Sequence, residues 1–445
     1  MSNNEKSSPS AENLNEFWMP FTSNQRFKSE PKILTKSKGM FYESDKGQKI
    51  LDGTSGLWCC NAGHGREKII EAVKNQIEKM EFAPTFQVGH PNAYLLAERL
   101  GEISPGDLNK IFFTNSGSES VDSALKIALA YHQARGDNKR NFLIGREKGY
   151  HGTGFGGTSV GGIPKNRENF GQLLPNVDHI RHTHDPARNS FSRGLPEHGV
   201  EFAEDLEKLC QLHDPSTIAA LIVEPIACSG GVIMPPKGYL QRLRDICDQH
   251  GILLIFDEVI TAFGRVGSAF ASQRYGVTPD IITTAKGLTS GAIPMGAVFV
   301  KDSIYDAFMQ DNTQSIELFH GYTYSGHPVA AAAALATLDI YQEDKLFERS
   351  LDLEGYWEDA VHKLKGLPHV VDIRNEGLIA AIELSPRGDN QGIRGYDVFT
   401  RCFHDEGLLI RASGDVIALS PPLIIEKAQI DFIFDTLTRV IKETD

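Results

Sequence analysis

A lysine and an aspartate each close an apolar run of the sequence. Lys286 follows residues 281–285 and precedes Gly287, and Asp257 follows residues 252–256. Such runs are typical of parallel strands covered on both faces, and ligands of these sheets bind outside the carboxyl ends of the strands. A lysine that forms a Schiff base and a carboxylate that pairs with a pyridinium nitrogen are the two groups that pyridoxal phosphate (PLP) chemistry requires. Either residue alone is more often a surface residue at a strand end, but the two together predict a PLP site.

A loop of small polar residues, Ser116-Gly117-Ser118-Glu119, separates an apolar run at residues 111–114 from a helical pattern at 121–134. Glycine lets the backbone approach an anion, the N–H groups of a helix start point toward it, and the two hydroxyls add donors. Ser116 also stands three residues before Glu119, which is the spacing of a helix N-cap with a capping box. Both interpretations hold together if the cap faces a pocket, so the loop is a candidate phosphate site.

Two more side chains suit such a pocket. Tyr150, beside His151, could cover one face of a planar ring, although a core tyrosine in a loop is the commoner case. Arg411 closes the run 408–410, and a guanidinium fork suits a carboxylate; a surface arginine at a strand end is an equal alternative. The polar segment 320–328 offers hydroxyls for a phosphate. Its histidines, His320 and His327, are seven residues apart, which is not a helical metal-ligand spacing.

One motif points to a different function class. Residues 152–157, with sequence Gly-Thr-Gly-Phe-Gly-Gly, match the dinucleotide-binding pattern G-x-G-x-x-G. That function requires an apolar strand immediately before the motif, a helix that opens within it, and an acid at the end of a second strand about 20 residues on. Residues 148–151 intervene here, and Pro164 and a polar stretch follow. A non-catalytic nucleotide-binding protein is therefore the weaker alternative.

The composition restricts the function classes further. The 45 Lys and Arg against 58 Asp and Glu give a net charge of −13, which opposes nucleic-acid binding and leaves no polybasic segment for a membrane surface. No apolar run approaches the ~20 residues of a transmembrane helix. The six cysteines form no Cys-x-x-Cys pair, so we expect no zinc or redox motif, and reduced thiols in a cytoplasmic protein. Residues 1–16 lack the apolar segment of a signal peptide and predict a disordered tail.

Strand and helix patterns alternate between residues 111 and 300, including an apolar run at 219–223 that ends in Glu224. This alternation favours a doubly wound α/β domain with a mostly parallel sheet. Residues 39–52 predict a hairpin, and an Ala-rich helix is expected at 329–341. A hairpin at 370–384, a helix at 396–406 and a strand at 408–411 predict a smaller α+β domain. We place a tail at 1–16, a segment that joins the small domain at 17–66, the large domain at 67–335 and the C-terminal small domain at 336–445.

As a set, these motifs resemble the class III (omega) PLP-dependent aminotransferases, from about Phe17 to the C-terminus. The motifs that carry this resemblance are Ser116-Gly117-Ser118-Glu119, Tyr150-His151-Gly152, Phe256-Asp257-Glu258-Val259 with Gly264-Arg265, and Ala285-Lys286-Gly287. A second group looks like the omega-amino acid–pyruvate (β-alanine–pyruvate) branch of the family. It consists of Trp18-Met19-Pro20-Phe21-Thr22, Ser55-Gly56-Leu57-Trp58, Gly63-His64-Gly65-Arg66, Ala292-Ile293-Pro294-Met295-Gly296-Ala297 and His320-Gly321-Tyr322-Thr323-Tyr324.

The resemblance implies the PLP fold-type I and a role for each site residue. Lys286 and Asp257 would be the catalytic residues. Tyr150 and Val259 would lie on the two faces of the cofactor ring, and Thr323 would reach the phosphate of the cofactor in the neighbouring subunit. The other cofactor contacts would come from Ser116, Gly117, Ser118 and Glu224. Trp58 and Arg411 would bind the substrate, with Arg411 on its carboxylate. No metal is implied, and the subunits would form a homodimer or a dimer of dimers with shared active sites.

The implied reaction moves an amino group from an ω-amino acid or primary amine to pyruvate in two half-reactions. Close relatives carry a glutamine seven residues after the carboxylate-binding arginine, whereas this chain has Ala418. The donor therefore stays open among β-alanine, taurine-like sulfonates, longer ω-amino acids and arylalkylamines. Another class III reaction, such as aminomutase or decarboxylase chemistry, shares every cofactor residue and is the main alternative.

Overall fold

The structure is a computed structural model that describes residues 14–310 and 315–445. Most of the tail predicted at 1–16 lies outside the described residues. The strands form three sheets of four, seven and four members. They are β1 (Leu34–Lys38), β2 (Phe41–Ser44), β3 (Lys49–Asp52), β4 (Lys110–Thr114), β5 (Phe142–Arg146), β6 (Val177–Ile180), β7 (Ile218–Val223), β8 (Leu253–Asp257), β9 (Ile281–Thr284), β10 (Gly296–Val300), β11 (Val370–Glu376), β12 (Ile379–Leu384), β13 (Leu408–Leu409), β14 (Arg411–Ser413) and β15 (Val416–Leu419).

Helices cover and connect these sheets. They are α1 (Asn24–Ser29), α2 (Ser55–Trp58), α3 (Glu67–Lys79), α4 (Pro91–Ile103), α5 (Gly117–Ala134), α6 (Phe155–Val160), α7 (Pro186–Asn189), α8 (Glu204–His213), α9 (Tyr239–His250), α10 (Ala271–Tyr275), α11 (Asp302–Phe308), α12 (Pro328–Glu343), α13 (Leu346–His362), α14 (Ile393–His404) and α15 (Lys427–Lys442). Within the described ranges, every helix falls short of the length and apolar character that crossing a bilayer requires.

The central sheet has the order β4-β10-β9-β8-β7-β5-β6. Strands β5 to β9 pair in parallel, and β10 runs antiparallel to both of its neighbours. Successive residues of β8 pack into two different cores: Leu254 and Phe256 lie in one, and Leu253 and Ile255 in the other. Both faces of the sheet are therefore covered, which is why its strands read as continuous apolar runs. The predicted α/β class with a mostly parallel sheet is confirmed.

The smaller part of the fold is built from both chain ends, as the sequence predicts. The sheet β1-β2-β3-β13 joins them, because Leu408 pairs in parallel with Leu51 and Leu409 with Asp52. The second small sheet, β11-β12-β15-β14, contains the hairpin expected at 370–384. The N-terminal hairpin is also present as the antiparallel pair β2 and β3. The division of the chain into four segments proposed from the sequence stays a prediction.

The prediction of one continuous strand at 408–411 is wrong. The chain forms β13 at Leu408–Leu409 and then β14 at Arg411–Ser413, with the buried Ile410 between them. The two strands belong to different sheets, because β13 pairs with β3 and β14 pairs with β15. Arg411 thus begins a strand and does not end one. An apolar run shows burial but not which neighbour each residue bonds to, so the sequence could not locate this crossing.

Candidate active site

A cavity of about 550 Å³ opens at the carboxyl ends of β8 and β9, between the central sheet and the segments from the two chain ends. Nine residues predicted for the site line it: Trp58, Gly117, Ser118, Tyr150, Glu224, Asp257, Val259, Lys286 and Arg411. Two predicted residues, Ser116 and Thr323, do not line this cavity. Asp257 and Lys286 meet because parallel strands end at a common edge of the sheet. Trp58 and Arg411, 353 positions apart in the sequence, reach the same cavity from outside that sheet.

Asp257 is the last residue of β8 and is only 5% exposed. Its Oδ2 lies 2.8 Å from Nδ1 of His151, and its Oδ1 accepts hydrogen bonds from Thr283 Oγ1 at 3.1 Å and the Val259 N–H at 3.2 Å. Three partners fix the carboxylate in one orientation. Neither His151 nor Thr283 was predicted as a site residue. Thr283 pairs with Asp257 across β8 and β9, a register that only the folded sheet reveals.

Lys286 lies just after β9, at the start of a short 3-10 turn over Lys286–Thr289. Its φ of +46° is left-handed, a conformation that costs energy for a residue with a side chain. The side chain is half-buried, and its amine has no hydrogen bond or ion pair with any described residue. Burial lowers the pKa of Lys286, although nearby Cys59 and Asp257 act in the opposite direction. The pocket thus favours a neutral, nucleophilic amine.

The start of helix α5 forms the part of the cavity that suits an anion. A Cβ on Gly117 would lie 2.9 Å from Val259 Cγ1, so only glycine fits there without displacing that side chain. Gly152 has a φ of +88°, and a Cβ on it would come within 2.4 Å of Ser118 Oγ. The backbone is therefore closely packed around the helix start, whose free N–H groups attract negative charge. The long helix Gly117–Ala134 places these groups at the cavity.

Ser116 has the structural role that the capping alternative gives it. Its Oγ accepts a hydrogen bond from the Glu119 N–H at 3.2 Å, which is an N-cap interaction. The Glu119 carboxylate accepts the N–H of Asn115 at 2.7 Å and not that of Ser116, so the capping box is incomplete. The Ser116 hydroxyl is thus engaged at the helix end. Its proposed contact with the cofactor stays a prediction.

Tyr150 and Glu224 are connected on another side of the cavity. The Tyr150 N–H donates to Glu224 Oε1 at 2.8 Å, and the Cys228 N–H donates to Oε2 at 3.2 Å. Burial raises the pKa of Glu224 to about 7 and also raises that of Tyr150. The ring of Phe21 meets the Tyr150 ring edge-on, with centroids 6.5 Å apart. The tyrosine ring is therefore fixed from its backbone and from one edge.

Arg411 and Trp58 come to the cavity from opposite chain ends. Arg411 is half-buried, and its guanidinium has no hydrogen bond or ion pair with any described residue. Burial lowers its pKa, yet an arginine remains charged at neutral pH. Trp58 is 2% exposed and packs in an apolar cluster that also contains Ala418. Because Arg411 and Ala418 are directly paired across β14 and β15, their side chains lie on the same face of that sheet.

Two other constellations have different roles. Among the described residues, His184, Asp372 and Glu383 bring ligand atoms within 4.8 Å of one another. The guanidinium of Arg374 hydrogen-bonds all three, so a cationic side chain already occupies the centre of this cluster. In the glycine-rich motif at 152–157, helix α6 does begin at Phe155. However, β5 ends at Arg146, and the next strand ends in Ile180 followed by Arg181, so the required acid is missing.

Comparison with known proteins defines the class. The family model for aminotransferase class-III matches residues 23–441. The chain therefore belongs to the class III aminotransferases, which are PLP-dependent enzymes. It is 60% identical to an omega-aminotransferase of Caulobacter vibrioides over 98% of this chain and 99% of that one. It is 47% identical to the beta-alanine–pyruvate aminotransferase of Pseudomonas aeruginosa, over 96% and 95% of the two chains.

A solved structure gives the same result for the fold. The omega transaminase of Pseudomonas jessenii in complex with PMP superposes with a TM-score of 0.92 at 32% identity, covering 98% of each chain. The residues of the cavity fit a phosphorylated, planar, aromatic cofactor. The helix start at Gly117 suits its phosphate, the unpaired amine of Lys286 suits its aldehyde carbon, and the buried Asp257 suits a protonated ring nitrogen. The predicted family, fold type and cofactor are confirmed.

Proposed function

We propose that the protein transfers an amino group from an ω-amino acid or a primary amine to pyruvate and releases alanine. The observation that carries this proposal is the unpaired, half-buried guanidinium of Arg411 in the same cavity as the unpaired amine of Lys286. A buried cation without a counter-ion is costly, and a substrate carboxylate is the ligand that offsets this cost. Relatives named for omega-amino acids, β-alanine and pyruvate support the substrate class.

Lys286 is the proposed proton carrier. When bound, PLP supplies an electron-withdrawing ring that stabilises negative charge on the substrate carbon that bears the amine. The Nζ atom of Lys286 would then remove the proton from that carbon and hold it for return. Burial lowers the pKa of Lys286, which favours the neutral amine that can accept a proton. The turn Lys286–Thr289 holds the lysine backbone in place while its side chain moves.

Asp257 is proposed to hold a proton on the ring nitrogen of the cofactor. Its carboxylate is 5% exposed and is oriented by His151, Thr283 and the Val259 N–H. A carboxylate fixed in this way is a strong acceptor for a charged N–H group. Val259 packs beside Gly117 at the helix start, which places it next to the proposed phosphate and ring positions. Tyr150, held by Glu224, is proposed for the other face of the ring.

Arg411 is proposed to bind the carboxylate of the substrate. Ala418, on the same face of the sheet, offers only a methyl group, so the arginine has no polar neighbour from that position. Trp58 and Ala418 share one apolar cluster, which gives this wall of the cavity an apolar surface. On this wall a donor with a carboxylate is then recognised by the guanidinium of Arg411, and a donor with an apolar group contacts the apolar surface. We therefore propose that both ω-amino acids and primary amines are donors.

The active sites are proposed to lie between two copies of the chain, in a homodimer or a dimer of dimers. Thr323 is exposed and does not line the cavity of its own chain. Phe319 and Tyr324, 90% and 58% exposed, are near Thr323 in the sequence, and Phe86, 57% exposed, lies against Gly321 of the same segment. Exposed aromatic side chains in one area mark an interaction surface. A second copy would cover them and bring its Thr323 toward the phosphate site. A cytoplasmic location also stays a proposal.

The decisive experiment is a donor panel with the PLP-loaded enzyme and pyruvate. β-Alanine, taurine, a longer ω-amino acid and an arylalkylamine are offered separately, and alanine formation is measured. We expect alanine from β-alanine or an amine only when pyruvate is present. Turnover of any donor without a keto acid would indicate aminomutase or decarboxylase chemistry and contradict the proposal.

Subunit mixing tests the shared site. Chains with Lys286→Ala are mixed with chains that carry Thr323→Ala, and activity is measured without added PLP. In a heterodimer both changes fall in one site, and the other site is intact if Thr323 serves the neighbouring subunit. We expect activity to rise on mixing. No rise, despite demonstrated subunit exchange, would place the action of Thr323 within its own chain.

A further inference from the structure

One wall of the cavity is a segment with an unusual backbone, residues 53–60. Ser55, Gly56 and Trp58 have φ values of +49°, +66° and +63°, all in the left-handed region. Leu57 and Trp58 line the cavity. Residues with side chains avoid this region, so such a conformation persists only where surrounding groups hold it. The position of the Trp58 indole therefore depends on what fixes this segment.

The buried carboxylate of Asp52 supplies one set of hydrogen bonds to this segment. Asp52, the last residue of β3, is 0% exposed. Its Oδ1 accepts the Thr54 N–H at 2.9 Å, and its Oδ2 accepts the Gly56 N–H at 2.7 Å. His64 Nε2 also lies 2.7 Å from Oδ2. Both oxygens of Asp52 are thus used to hold the backbone at the start of the segment.

A buried guanidinium holds the other side. Arg265 is also 0% exposed. It donates to Ser55 Oγ at 3.0 Å, to Asn61 Oδ1 at 2.7 Å and to the Pro421 carbonyl at 2.5 Å. The segment is therefore fixed between an anion and a cation, neither of which touches the cavity. Of these two charged residues, Asp52 is the one that accepts hydrogen bonds from backbone N–H groups of the segment.

We propose that Asp52 is a positioning residue that sets the size selectivity for the amine donor. It acts through Trp58: the two N–H bonds keep the segment left-handed, and the segment keeps the indole against the cavity. An asparagine at position 52 would face one of the two N–H groups with its own NH2, donor against donor. The segment then relaxes, the indole moves, and the cavity widens. The proposal rests on the proposed function only in taking primary amines as donors.

The first test compares a small and a bulky amine, propylamine and 1-phenylethylamine, in single turnover with PLP-loaded Asp52→Asn. We expect the ratio of their specificity constants to shift at least about 10-fold toward the bulky amine. In a Trp58→Ala background, the same substitution should change the ratio less than about twofold, because the side chain through which Asp52 acts is gone. An unchanged ratio in Asp52→Asn, or an equal shift in both backgrounds, overturns the proposal.

A matched control separates positioning from general stability. Asp372 is 3% exposed and accepts two backbone N–H groups, from Phe191 and Ile373, but does not line the cavity. Asp372→Asn should lower the melting temperature and leave the donor ratio unchanged. If Asp52→Asn does not fold, Gly56→Ala strains the same segment, because its Cβ would lie 2.9 Å from Tyr42 Oη. It should shift the ratio in the same direction, and an unchanged ratio would overturn the proposal.

A readout without any substrate keeps this proposal separate from the proposed function. In a Trp18→Phe background, the remaining tryptophans are Trp58, 2% exposed, and Trp357, 0% exposed. Acrylamide quenching should therefore be weak, and Asp52→Asn should raise it measurably by releasing Trp58. Equal quenching in both proteins contradicts the positioning role, whereas failure of all amines to react contradicts only the donor class.

Discussion

The floor and the walls of the cavity are built in different ways. The floor consists of Asp257 and Lys286 at the ends of two adjacent parallel strands, with Thr283 directly opposite the acid. The walls come from distant segments, with Trp58 near the N-terminus and Arg411 near the C-terminus. The acid of the floor has three bonding partners, whereas Arg411 of the wall has none among the described residues.

This difference separates chemistry from recognition. A floor fixed by sheet register gives the reacting groups one geometry for every substrate. A wall that leaves a buried cation unpaired depends on what the substrate offers. Changes in the floor should therefore affect all donors equally, and changes in the wall should discriminate among them.

The largest effect is expected for Lys286→Ala. This change removes the amine that carries the proton, so transamination should be abolished for every donor. The visible absorption of the lysine-bound cofactor should also disappear, although PLP can still bind through its phosphate. Full activity in this variant would contradict the entire assignment of the floor.

Asp257→Asn should slow turnover of all donors while the cofactor remains bound. A neutral amide cannot hold the ring proton, and the loss of one charged hydrogen bond corresponds to about 1.5–3 kcal/mol, or roughly 10–100-fold in rate. The lost charge on the ring adds to this. Measurement of kcat with β-alanine and with an arylalkylamine should give similar losses. A change below twofold, or a loss confined to one donor, would show that Asp257 does not belong to the floor.

Arg411→Ala should discriminate between donors. Breaking a desolvated pair between a guanidinium and a carboxylate costs roughly 2–5 kcal/mol, so the specificity constant for β-alanine should fall about 30-fold or more. An arylalkylamine has no carboxylate, and its rate should hold or rise. The donor half-reaction must be followed alone in single turnover, because pyruvate also needs the arginine. Equal losses for both donors would assign Arg411 to the fold and not to the substrate.

The last effect concerns Glu224 and the pH dependence of stability. Its pKa rises from 4.5 to about 7 on burial, so the folded state binds this proton more tightly than the unfolded chain does. The resulting stabilisation is fully present below pH 4.5 and is lost as pH rises to about 7. It corresponds to roughly 3 kcal/mol. The glutamine in Glu224→Gln does not titrate. As pH rises from 4.5 to above 7, the free energy of unfolding of the variant should therefore increase relative to that of the wild type by that amount.

Urea unfolding at pH 4.5 and 7.5 measures this effect. Glu258 is a matched control, because burial also raises its pKa to about 7 and it does not line the cavity. Glu258→Gln should give the same pH trend, and only Glu224→Gln should also alter turnover. Parallel pH curves for the wild type and Glu224→Gln would contradict the predicted linkage.

The sequence predicted the floor better than the walls. The apolar runs before Asp257 and Lys286 identified two strand ends, because a strand that is buried on both faces of a sheet is apolar along its whole length. The loop Ser116-Gly117-Ser118 was also located correctly, since a helix start after a strand has a local signature. His151 and Thr283 were missed as partners of the acid. The pairing of β8 with β9 decides the position of Thr283, and His151 reaches the acid from a loop 106 positions earlier in the chain. No local pattern encodes either contact.

Local sequence patterns did not predict how the wall residues are positioned. Arg411 was predicted as a carboxylate ligand, and it does line the cavity, but its strand was misplaced because the chain changes sheets at Ile410. Nothing in the residues around Asp52 indicated that its carboxylate holds the left-handed segment that carries Trp58. Those contacts depend on long-range packing, since Arg265 reaches Ser55 across 210 positions of the sequence.

By itself, the sequence determined the α/β class, the lysine and acid at two strand ends, and membership of a PLP-dependent family. These properties follow from hydrophobic runs and short motifs, which act over a few residues. The tertiary structure decided which residues face each other: Thr283 and His151 on Asp257, Ala418 beside Arg411, and Asp52 on the backbone N–H of Gly56. Strand register and the meeting of the two chain ends set these contacts, because burial brings together groups that chain proximity does not.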